Sequence, residues 1–163
     1  MRRMFIMTVF SLVALVACAP VISDNILRQV DSELSITQLF DDPEKHTGRI
    51  VLVGGKIVRA SVEKEKTWVE VLEQPLGWRQ RPKESDSSYG RYLVYFEDYR
   101  DTEIYQNGRL ITIAGEVEGK EVRFIGKTKY AYPVLRVKES FLWKREDAAS
   151  PRFHFGIGVG GTF

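Results

Sequence analysis

The sequence predicts a mainly β fold, a small antiparallel barrel of five to six strands preceded by one short helix. From Arg49 onward, apolar and polar residues alternate with a period of two in several short segments. These segments are rich in β-branched and aromatic residues, which favour strands. Turn-forming residues such as Asn107-Gly108 separate them. A chain of 163 residues offers room for one such domain.

The first 17 residues have the form of a signal peptide. Arg2 and Arg3 supply positive charge, and residues 4–17 form an uncharged, largely apolar run. This run is shorter than the roughly 20 apolar residues that a transmembrane helix needs. We therefore predict that residues 1–17 are removed on export.

The apolar run ends in Leu15-Val16-Ala17-Cys18, which resembles the bacterial lipobox. This resemblance implies cleavage between Ala17 and Cys18, a diacylglyceryl group on the Cys18 thiol and acylation of its new amino group, commonly with palmitate. Two acyl chains already give stable attachment, since each buried CH₂ contributes about 0.8 kcal/mol. The alternative is an incidental thiol behind an ordinary signal peptide. Under the Gram-negative sorting rule that accompanies the lipobox, Ala19 in place of Asp points to the outer membrane.

Residues 18–34 are predicted to form a lipidated tether, because they show no sustained period of 2 or 3.6. The folded domain is predicted to cover residues 35–146. It opens with Ser35-Ile36-Thr37-Gln38, which has the form of a capping box, and apolar residues follow at helical spacing. Because Pro43 and Gly48 stop the run, the pattern predicts a short helix over about residues 36–45.

The strand pattern contains several predicted turns and bends. Gly54-Gly55 interrupts the first strand and suits a bulge or a tight bend. A hairpin turn is predicted at Glu118-Gly119-Lys120, and an exposed loop at 74–90. A bent, Gly-rich first strand followed by four or five antiparallel strands fits a barrel of the OB type, with a β-sandwich as the alternative. The predicted strands are 50–60, 67–73, 91–97, 110–118, 121–125 and 134–143.

A series of short stretches follows the lipobox in order. They are Phe40-Asp41-Asp42-Pro43 with Gly48-Arg49, Val53-Gly54-Gly55-Lys56-Ile57, Trp68-Val69-Glu70-Val71-Leu72 with Pro75-Leu76, Arg81-Pro82, Gly90-Arg91, and Tyr130-Ala131-Tyr132-Pro133-Val134. Together with Cys18, this series resembles the Slp family of outer-membrane lipoproteins, sometimes called starvation-inducible. The resemblance implies a lipid-anchored outer-membrane protein whose small β domain faces the periplasm, with a stress or stationary-phase role. It supplies no catalytic residues.

Charge and cysteine content restrict the partners. The net charge is +2, and removal of Arg2 and Arg3 leaves equal numbers of acidic and basic side chains. Nucleic-acid binding depends on a surplus of Lys and Arg, so no nucleic-acid partner is predicted. The single cysteine excludes an intrachain disulfide and a zinc site with two thiolates.

The motifs predict no catalytic site, no metal site and no cofactor. His46 and His154 lack the spacing of paired metal ligands, and a structural or surface role is expected for both. The alternative function is a metal-dependent or glycan-acting envelope enzyme that uses the acidic run 97–103, if its carboxylates converge. Their spacing does not match an EF-hand loop, and a solvated loop is the expectation. The run contains Glu97, Asp98, Asp101 and Glu103.

Basic and aromatic residues near the end of the domain form the candidate binding face. OB folds use such a composition to stack bases or sugars. Export removes the usual nucleic-acid ligand, so an envelope protein, a glycan or an anionic lipid surface is the expected partner. The alternative is a set of core-facing aromatic side chains with outward charges. The face consists of Lys127, Lys129, Tyr130, Tyr132, Arg136 and Trp143.

Residues 147–163 are predicted to form a flexible tail rich in Gly and Phe. Large and small residues alternate up to Phe163, which resembles the terminal strand of outer-membrane barrels. One strand cannot form a barrel, because its unpaired backbone groups are costly in lipid. We therefore hypothesise that the tail pairs with the sheet edge of a partner or lies at the bilayer surface.

Overall fold

The computed structural model describes residues 20–145, and five strands in this range form a closed barrel. The order around the barrel is β1-β2-β3-β5-β4, and all neighbours are antiparallel except β3 and β5, which are parallel. This is the Greek-key arrangement of an OB fold. It confirms the predicted barrel and excludes the sandwich. The strands are β1 (Ile50–Glu63), β2 (Lys66–Glu73), β3 (Arg91–Phe96), β4 (Leu110–Ile125) and β5 (Thr128–Leu142).

Two short α-helices precede the barrel, α1 (Asp24–Leu27) and α2 (Ile36–Asp41). The capping box of α2 is confirmed, since the Ser35 hydroxyl accepts from the backbone N–H of Gln38 and the Gln38 side chain accepts from the N–H of Ser35. The predicted helix over 36–45 is interrupted, and a 3₁₀ turn at Pro43–His46 follows α2. Proline lacks the N–H that would continue the α-helix, but it suits the first position of a new turn.

The predicted tether is wrong for residues 20–34, which pack on the barrel. Ile22 is fully buried, and Val30 forms a bridge with Ile50 at the start of β1. Ile22 is the only buried residue of this segment, so no helical or strand period in the sequence marks its burial. Three residues therefore separate Cys18 from the buried Ile22.

Inward-facing residues of all five strands build the main core. In β2, Val69 and Val71 point inward and are fully buried, as the alternation predicts. Leu39 of α2 reaches the same core, which attaches the helix to the barrel. The most deeply buried members of this core are Leu39, Ile57, Val69, Val71, Tyr92, Val94, Ile111, Ile113, Val117 and Leu135.

The hairpin turn predicted at residues 118–120 is wrong, and β4 runs through this point as one strand of 16 residues. The register with β5 shifts between Val117 and Gly119, so Glu118 is an extra residue in a bulge. Gly119 has φ +120°, a backbone conformation that favours glycine. The glycine is therefore explained by the bulge, and the chain does not reverse its direction there. The chain turns instead at Gly126, where φ is +60°. The barrel therefore has five strands, and β4 and β5 form one long hairpin.

The bulge of β1 does not fall at Gly54-Gly55, where a bulge or a tight bend was predicted. The register of β1 against β2 shifts between Ile57 and Arg59, beyond the glycine pair. Gly55 is required for another reason, because a Cβ there would meet the backbone oxygen of Leu72 in the neighbouring strand. At the far end of β1, residues 64 and 65 both have positive φ, as in a type I′ hairpin turn.

The loop 74–90, predicted to be exposed, divides into two parts. Its first part lies on the barrel, where Gln74 and Pro82 are buried and the Thr112 hydroxyl donates to the carbonyl of Gln80 at 2.7 Å. Residues 83–89 are exposed. The prediction is therefore correct only for the second part.

Candidate binding surfaces

The outer half of the β4–β5 hairpin, residues 119–134, folds over the outer face of β2 and β3. Tyr132 and Val134 of this half form a second buried cluster with Leu93 and Tyr95 of β3. Partly buried Trp68 borders the cluster, with its ring centroid 5.1 Å from that of Tyr95. In OB folds the face of strands 2 and 3 is the usual ligand surface. Here the hairpin of the same chain occupies it.

Glu70 lies at the centre of this covered face and is only 3% exposed. Its carboxylate is 2.7 Å from Arg59 Nε and 2.8 Å from Arg91 Nη1, and it accepts a hydrogen bond from the Tyr132 hydroxyl at 3.0 Å. Burial raises the pKa of Glu70, but the hydrogen bonds from Arg91 and Tyr132 and the charges of Arg59 and Arg91 outweigh it and lower the pKa. Glu70 is therefore charged at neutral pH. A general acid or base needs a pKa near the operating pH, which a lowered pKa does not provide. The contacts of Glu70 instead connect the hairpin to the barrel.

Tyr130 makes a second connection between the hairpin and β3. Its hydroxyl accepts from the backbone N–H of Arg91 at 2.9 Å, and its ring packs edge-on against Tyr132 with centroids 4.6 Å apart. Gly90, with φ +133°, allows this approach, because a Cβ there would meet the Tyr130 hydroxyl. The outer half of the hairpin is thus held by two tyrosines.

The structure does not gather the six residues of the candidate binding face into one exposed surface. Tyr132 is fully buried and Tyr130 is half-buried, so neither offers a ring for stacking. Only Lys127 and Lys129 are exposed, at the hairpin tip. Trp143 follows the other end of β5. The tyrosines and lysines alternate along the chain, so they point to opposite sides of the hairpin. Because the hairpin folds over the barrel, the tyrosine side faces inward, and the sequence pattern alone could not predict which side would be covered.

Arg136 is neutralised by carboxylates on the neighbouring strand. Its guanidinium is 2.7 Å from Glu116 and 3.0 Å from Glu118, and Lys138 is 2.7 Å from Glu116. The pKa of Glu116 is lowered, chiefly by the hydrogen bond from Lys138 and also by that from Arg136. Arg136 therefore belongs to a mixed charge network rather than to a basic surface.

The solvent-facing side of the hairpin carries an apolar strip that the sequence analysis did not identify. Val122 is 56% exposed and Phe124 is 62% exposed. Across the hairpin, Ala131 pairs with Val122, and Lys129 pairs with Phe124. We call these four residues the hairpin strip. Val122 and Phe124 alternate with Arg123 in the sequence, which indicates a strand. Only the packed hairpin shows which side of that strand remains exposed.

The acidic run does not converge on one point. All four carboxylate side chains are exposed, and the described residues 20–145 contain no group of three or more His, Cys, Asp or Glu placed to hold a metal ion. Asp98 pairs with Arg100 at 3.0 Å, and Asp101 accepts from the backbone N–H of Glu103. Glu97 and Asp98 line an open groove of about 570 Å³, which Arg100 and Lys138 also line.

His46 is 8% exposed, and its Nδ1 is buried without a hydrogen-bond partner in the described structure. The Ala17-Cys18 cleavage site, His154 and the predicted tail 147–163 lie outside the described residues. Within residues 20–145 no helix combines the length and apolar character needed to cross a membrane.

Residues 15–157 match the family model described as the outer membrane lipoprotein Slp family. The chain belongs to the outer membrane lipoprotein Slp family. Outer membrane protein Slp of Escherichia coli K12 is 24% identical over 156 residues, which is 93% of this chain and 82% of that protein. Membership confirms the resemblance found in the sequence and the outer-membrane location.

Two further relatives match over shorter ranges. An uncharacterized protein of Haemophilus influenzae is 33% identical over 96 residues, which is 58% of this chain and 52% of that protein. The uncharacterized lipoprotein YeaY of E. coli K12 is 27% identical over 108 residues, which is 66% of this chain and 55% of that protein. The chain thus spans about half the length of these two relatives.

Among solved structures, the chain is similar to single-stranded DNA binding proteins. One is the mitochondrial protein Rim1 of S. cerevisiae, with 13% identity, coverage of 60% of this chain and 97% of that one, and a TM-score of 0.39. Another is the Plasmodium falciparum SSB in complex with ssDNA, with 11% identity, coverage of 57% and 90%, and a TM-score of 0.31. The strand order itself identifies the OB fold, and these distant similarities indicate no ligand for this chain.

Proposed function

We propose that this lipoprotein is a non-enzymatic binding module, held at the periplasmic side of the outer membrane by lipid on Cys18, which contacts an envelope protein through the hairpin strip. The observation that carries the proposal is the exposure of Val122 and Phe124 side by side on a fixed hairpin. Contiguous exposed apolar residues rimmed by polar ones are typical of protein interaction sites.

The rigidity of the hairpin supports this role. Its inner side is attached to the barrel through Tyr132 with Glu70 and through Tyr130 with the backbone of Arg91. A surface that is already ordered loses little conformational entropy when a partner binds. The apolar character of Val122 and Phe124 favours a protein over a glycan, because sugar recognition requires several aligned hydrogen-bonding groups.

The position of the strip also leaves it accessible. The N-terminal segment is bound at Glu139, and the hairpin tip begins at Thr128, eleven positions away in the same strand. At about 3.3 Å per residue this separation is on the order of 35 Å. The strip therefore lies at the opposite end of β5 from the point where the anchor joins the domain.

The state of the carboxylates supports a role without catalysis. Glu70 is fully engaged by Arg59, Arg91 and Tyr132, and the acidic run is dispersed in solvent. General acid–base chemistry needs a group positioned against the substrate, whereas Glu70 is held by its three partners and the carboxylates of the acidic run do not converge.

Site-directed photo-crosslinking in living cells tests the partner surface. A benzoylphenylalanine at position 124 of the full, lipidated chain is compared with one at Tyr89, a residue of similar exposure in the loop before β3. Envelopes from exponential and stationary cultures are compared, because the family resemblance implies a starvation role. We expect a discrete protein product at position 124 that is lost with Val122→Asp and absent at position 89. Identical products at both positions, or none at 124 in either growth phase, would contradict the proposal.

Mass spectrometry tests the anchor independently. We expect the mature chain to begin at Cys18 with its thiol and amino group acylated, and the Cys18→Ser chain to leave the membrane fraction. An unmodified thiol at Cys18 would overturn the proposed anchor.

The tail 147–163 remains a prediction, and deletion of residues 150–163 tests it. If the tail contacts a membrane or a partner, we expect this truncation to weaken crosslinking or membrane contact while the unfolding midpoint of the domain is unchanged. Unchanged contacts would count against the role predicted for the tail.

A further inference from the structure

The N-terminal segment is fixed to the barrel within a few residues of Cys18. The side-chain oxygen of Gln80 accepts from the backbone N–H groups of Val21 and Ile22, both at 3.2 Å. Ser23 donates from its N–H at 2.9 Å and from its hydroxyl at 2.6 Å to Glu139. Three peptide units separate Cys18 from Val21, and they span at most about 11 Å. A lipid on Cys18 therefore holds this side of the barrel close to the bilayer.

An exposed tryptophan stands next to that attachment. Trp78 is 74% exposed, and it lies two residues before Gln80 in the 3₁₀ turn Trp78–Gln80. Arg79 and Gln80 both have positive φ, at 54° and 61°, a conformation that is costly for residues other than glycine. The Arg79 guanidinium lies 5.7 Å from the centroid of the Trp78 ring. The turn thus displays an aromatic ring and a cation together beside the anchor.

A chain of hydrogen bonds connects this turn with a second aromatic pair. The indole N–H of Trp143 donates to the Thr112 hydroxyl at 3.0 Å, and that hydroxyl donates to the Gln80 carbonyl at 2.7 Å. Phe141, which is 38% exposed, packs against Trp143 with ring centroids 4.9 Å apart. Trp78 and the Phe141–Trp143 pair are therefore both held near Gln80, whose side chain binds residues 21 and 22.

The charges around these aromatic residues are mostly positive. Acidic side chains in the same segments are Glu139, which is bonded to Ser23, Asp24, which follows Ser23 in the chain, and the exposed Glu84. Tryptophan is enriched at membrane–water interfaces, and each Lys or Arg close to an anionic leaflet strengthens attachment. The basic side chains of the same loop and of the end of β5 are Arg79, Arg81, Lys83, Lys144 and Arg145.

We propose that Trp78, Arg79, Phe141 and Trp143 form a seating face that lies against the anionic phospholipid of the leaflet into which Cys18 is anchored. The inference rests on the proposed function, because it requires the lipid on Cys18. The short spacer and the charge complementarity favour a lipid surface as the occupant. Seating on this face orients the domain, so that the far end of the β4–β5 hairpin extends away from the bilayer.

Fluorescence quenching in vesicles tests the seating face. The full lipidated protein is reconstituted into phosphatidylethanolamine and phosphatidylglycerol vesicles that contain phospholipids brominated on their acyl chains. Bromine quenches only tryptophans that reach the lipid, and Trp68, on the hairpin-covered side of the barrel, serves as the internal control. Three variants are compared with the natural protein: Trp78→Phe, Trp68→Phe and Arg79→Gln.

We expect strong quenching of the natural protein, a clear reduction in Trp78→Phe, where Trp143 of the same face still contributes, and full retention in Trp68→Phe. Arg79→Gln is expected to weaken seating about fivefold, the effect of one cation at an anionic surface. On vesicles of phosphatidylcholine alone the natural protein should seat more weakly, and Arg79→Gln should have no further effect. If the protein sediments with vesicles while Trp78 and Trp68 are quenched equally, the seating face is wrong and the anchor stands. Shielding of Trp78 from aqueous acrylamide without quenching by bromine would show a second copy of the chain there, which also overturns the proposal. If the protein does not sediment with vesicles, the anchor itself fails.

Discussion

Tyr132 donates a hydrogen bond of 3.0 Å to Glu70 across the outer face of β2. This contact joins the extended β4–β5 hairpin to the barrel wall and closes the surface that OB folds commonly use for ligands. The buried carboxylate has two further donors, Arg59 and Arg91, which keep it charged. The hairpin of this domain thus covers the surface that OB folds commonly use for ligands, and the other side of the hairpin faces outward.

Removal of one hydroxyl tests the strength of this attachment. We expect Tyr132→Phe to lower the free energy of unfolding by about 1 kcal/mol, the usual net value of one hydrogen bond. Urea denaturation followed by circular dichroism measures the change. Tyr89→Phe, at an exposed tyrosine, is the control and should have no effect. Equal stabilities for the two variants would show that the contact does not hold the hairpin.

Substitution of the carboxylate itself should have a larger effect. Glu70→Gln leaves Arg59 and Arg91 without their charged partner, and we expect a loss of about 2 kcal/mol at pH 7, typical of hydrogen bonds to charged groups. Because the pKa of Glu70 is lowered in the folded state, its stabilising contribution is present above the ordinary glutamate range and is lost as the pH falls through the folded pKa. The difference between the natural protein and Glu70→Gln should therefore shrink as the pH falls below about 4. A difference that grows on acidification would contradict this assignment.

Glu73 should show the opposite pH dependence. Burial raises the pKa of Glu73, against the hydrogen bond that its carboxylate accepts from the backbone N–H of Tyr89 at 3.0 Å. A raised pKa means that stability is present below the ordinary glutamate range and is lost as the pH rises through the folded pKa. Glu73→Gln keeps the acceptor oxygen and removes the charge, so we expect the variant to be more stable than the natural protein at pH 8 and equal to it near pH 4. Thermal unfolding across this range, with the exposed Glu33→Gln as control, measures the effect. Lower stability of Glu73→Gln at pH 8 would refute it.

The two adjacent glycines of β1 should respond differently to alanine. A Cβ on Gly55 would meet the backbone oxygen of Leu72, which cannot move without breaking the sheet, whereas a Cβ on Gly54 would meet first the side chain of Leu76. We expect Gly55→Ala to destabilise the domain by about 3 kcal/mol, at the upper end of overpacking costs, and Gly54→Ala by clearly less. Melting temperatures of the two variants provide the comparison. Equal losses would mean that Leu76 is as immobile as the backbone.

Local patterns account for the parts of the fold that the sequence predicted correctly. The alternation of Val69 and Val71 with polar neighbours, and the capping box of Ser35 and Gln38, each depend on residues within one strand or one turn. The lipobox is likewise a contiguous signal. The barrel class, the helix start and the family resemblance could therefore be predicted without knowledge of the packing.

Long-range packing accounts for the parts that the sequence predicted incorrectly. Gly119 has the backbone of a bulge and not of a hairpin turn, because β5 continues beside it. Ile22 is the only buried residue of segment 20–34, and its burial results from contact with the barrel, which no neighbouring residue indicates. The residues adjacent to Gly119 do not show that β5 lies beside it, and the residues adjacent to Ile22 do not show which part of the barrel it contacts.

By itself the sequence predicted an exported lipoprotein with a small β-barrel, because the predicted signal peptide, the resemblance to a lipobox and the strand period are contiguous patterns. Only the tertiary structure decided which aromatic residues face solvent. Tyr132 and Phe124 both lie in alternating strands, yet the hairpin folds so that Tyr132 meets buried Glu70 and Phe124 points outward. The physical reason is that a strand has two equivalent sides until another part of the chain covers one of them.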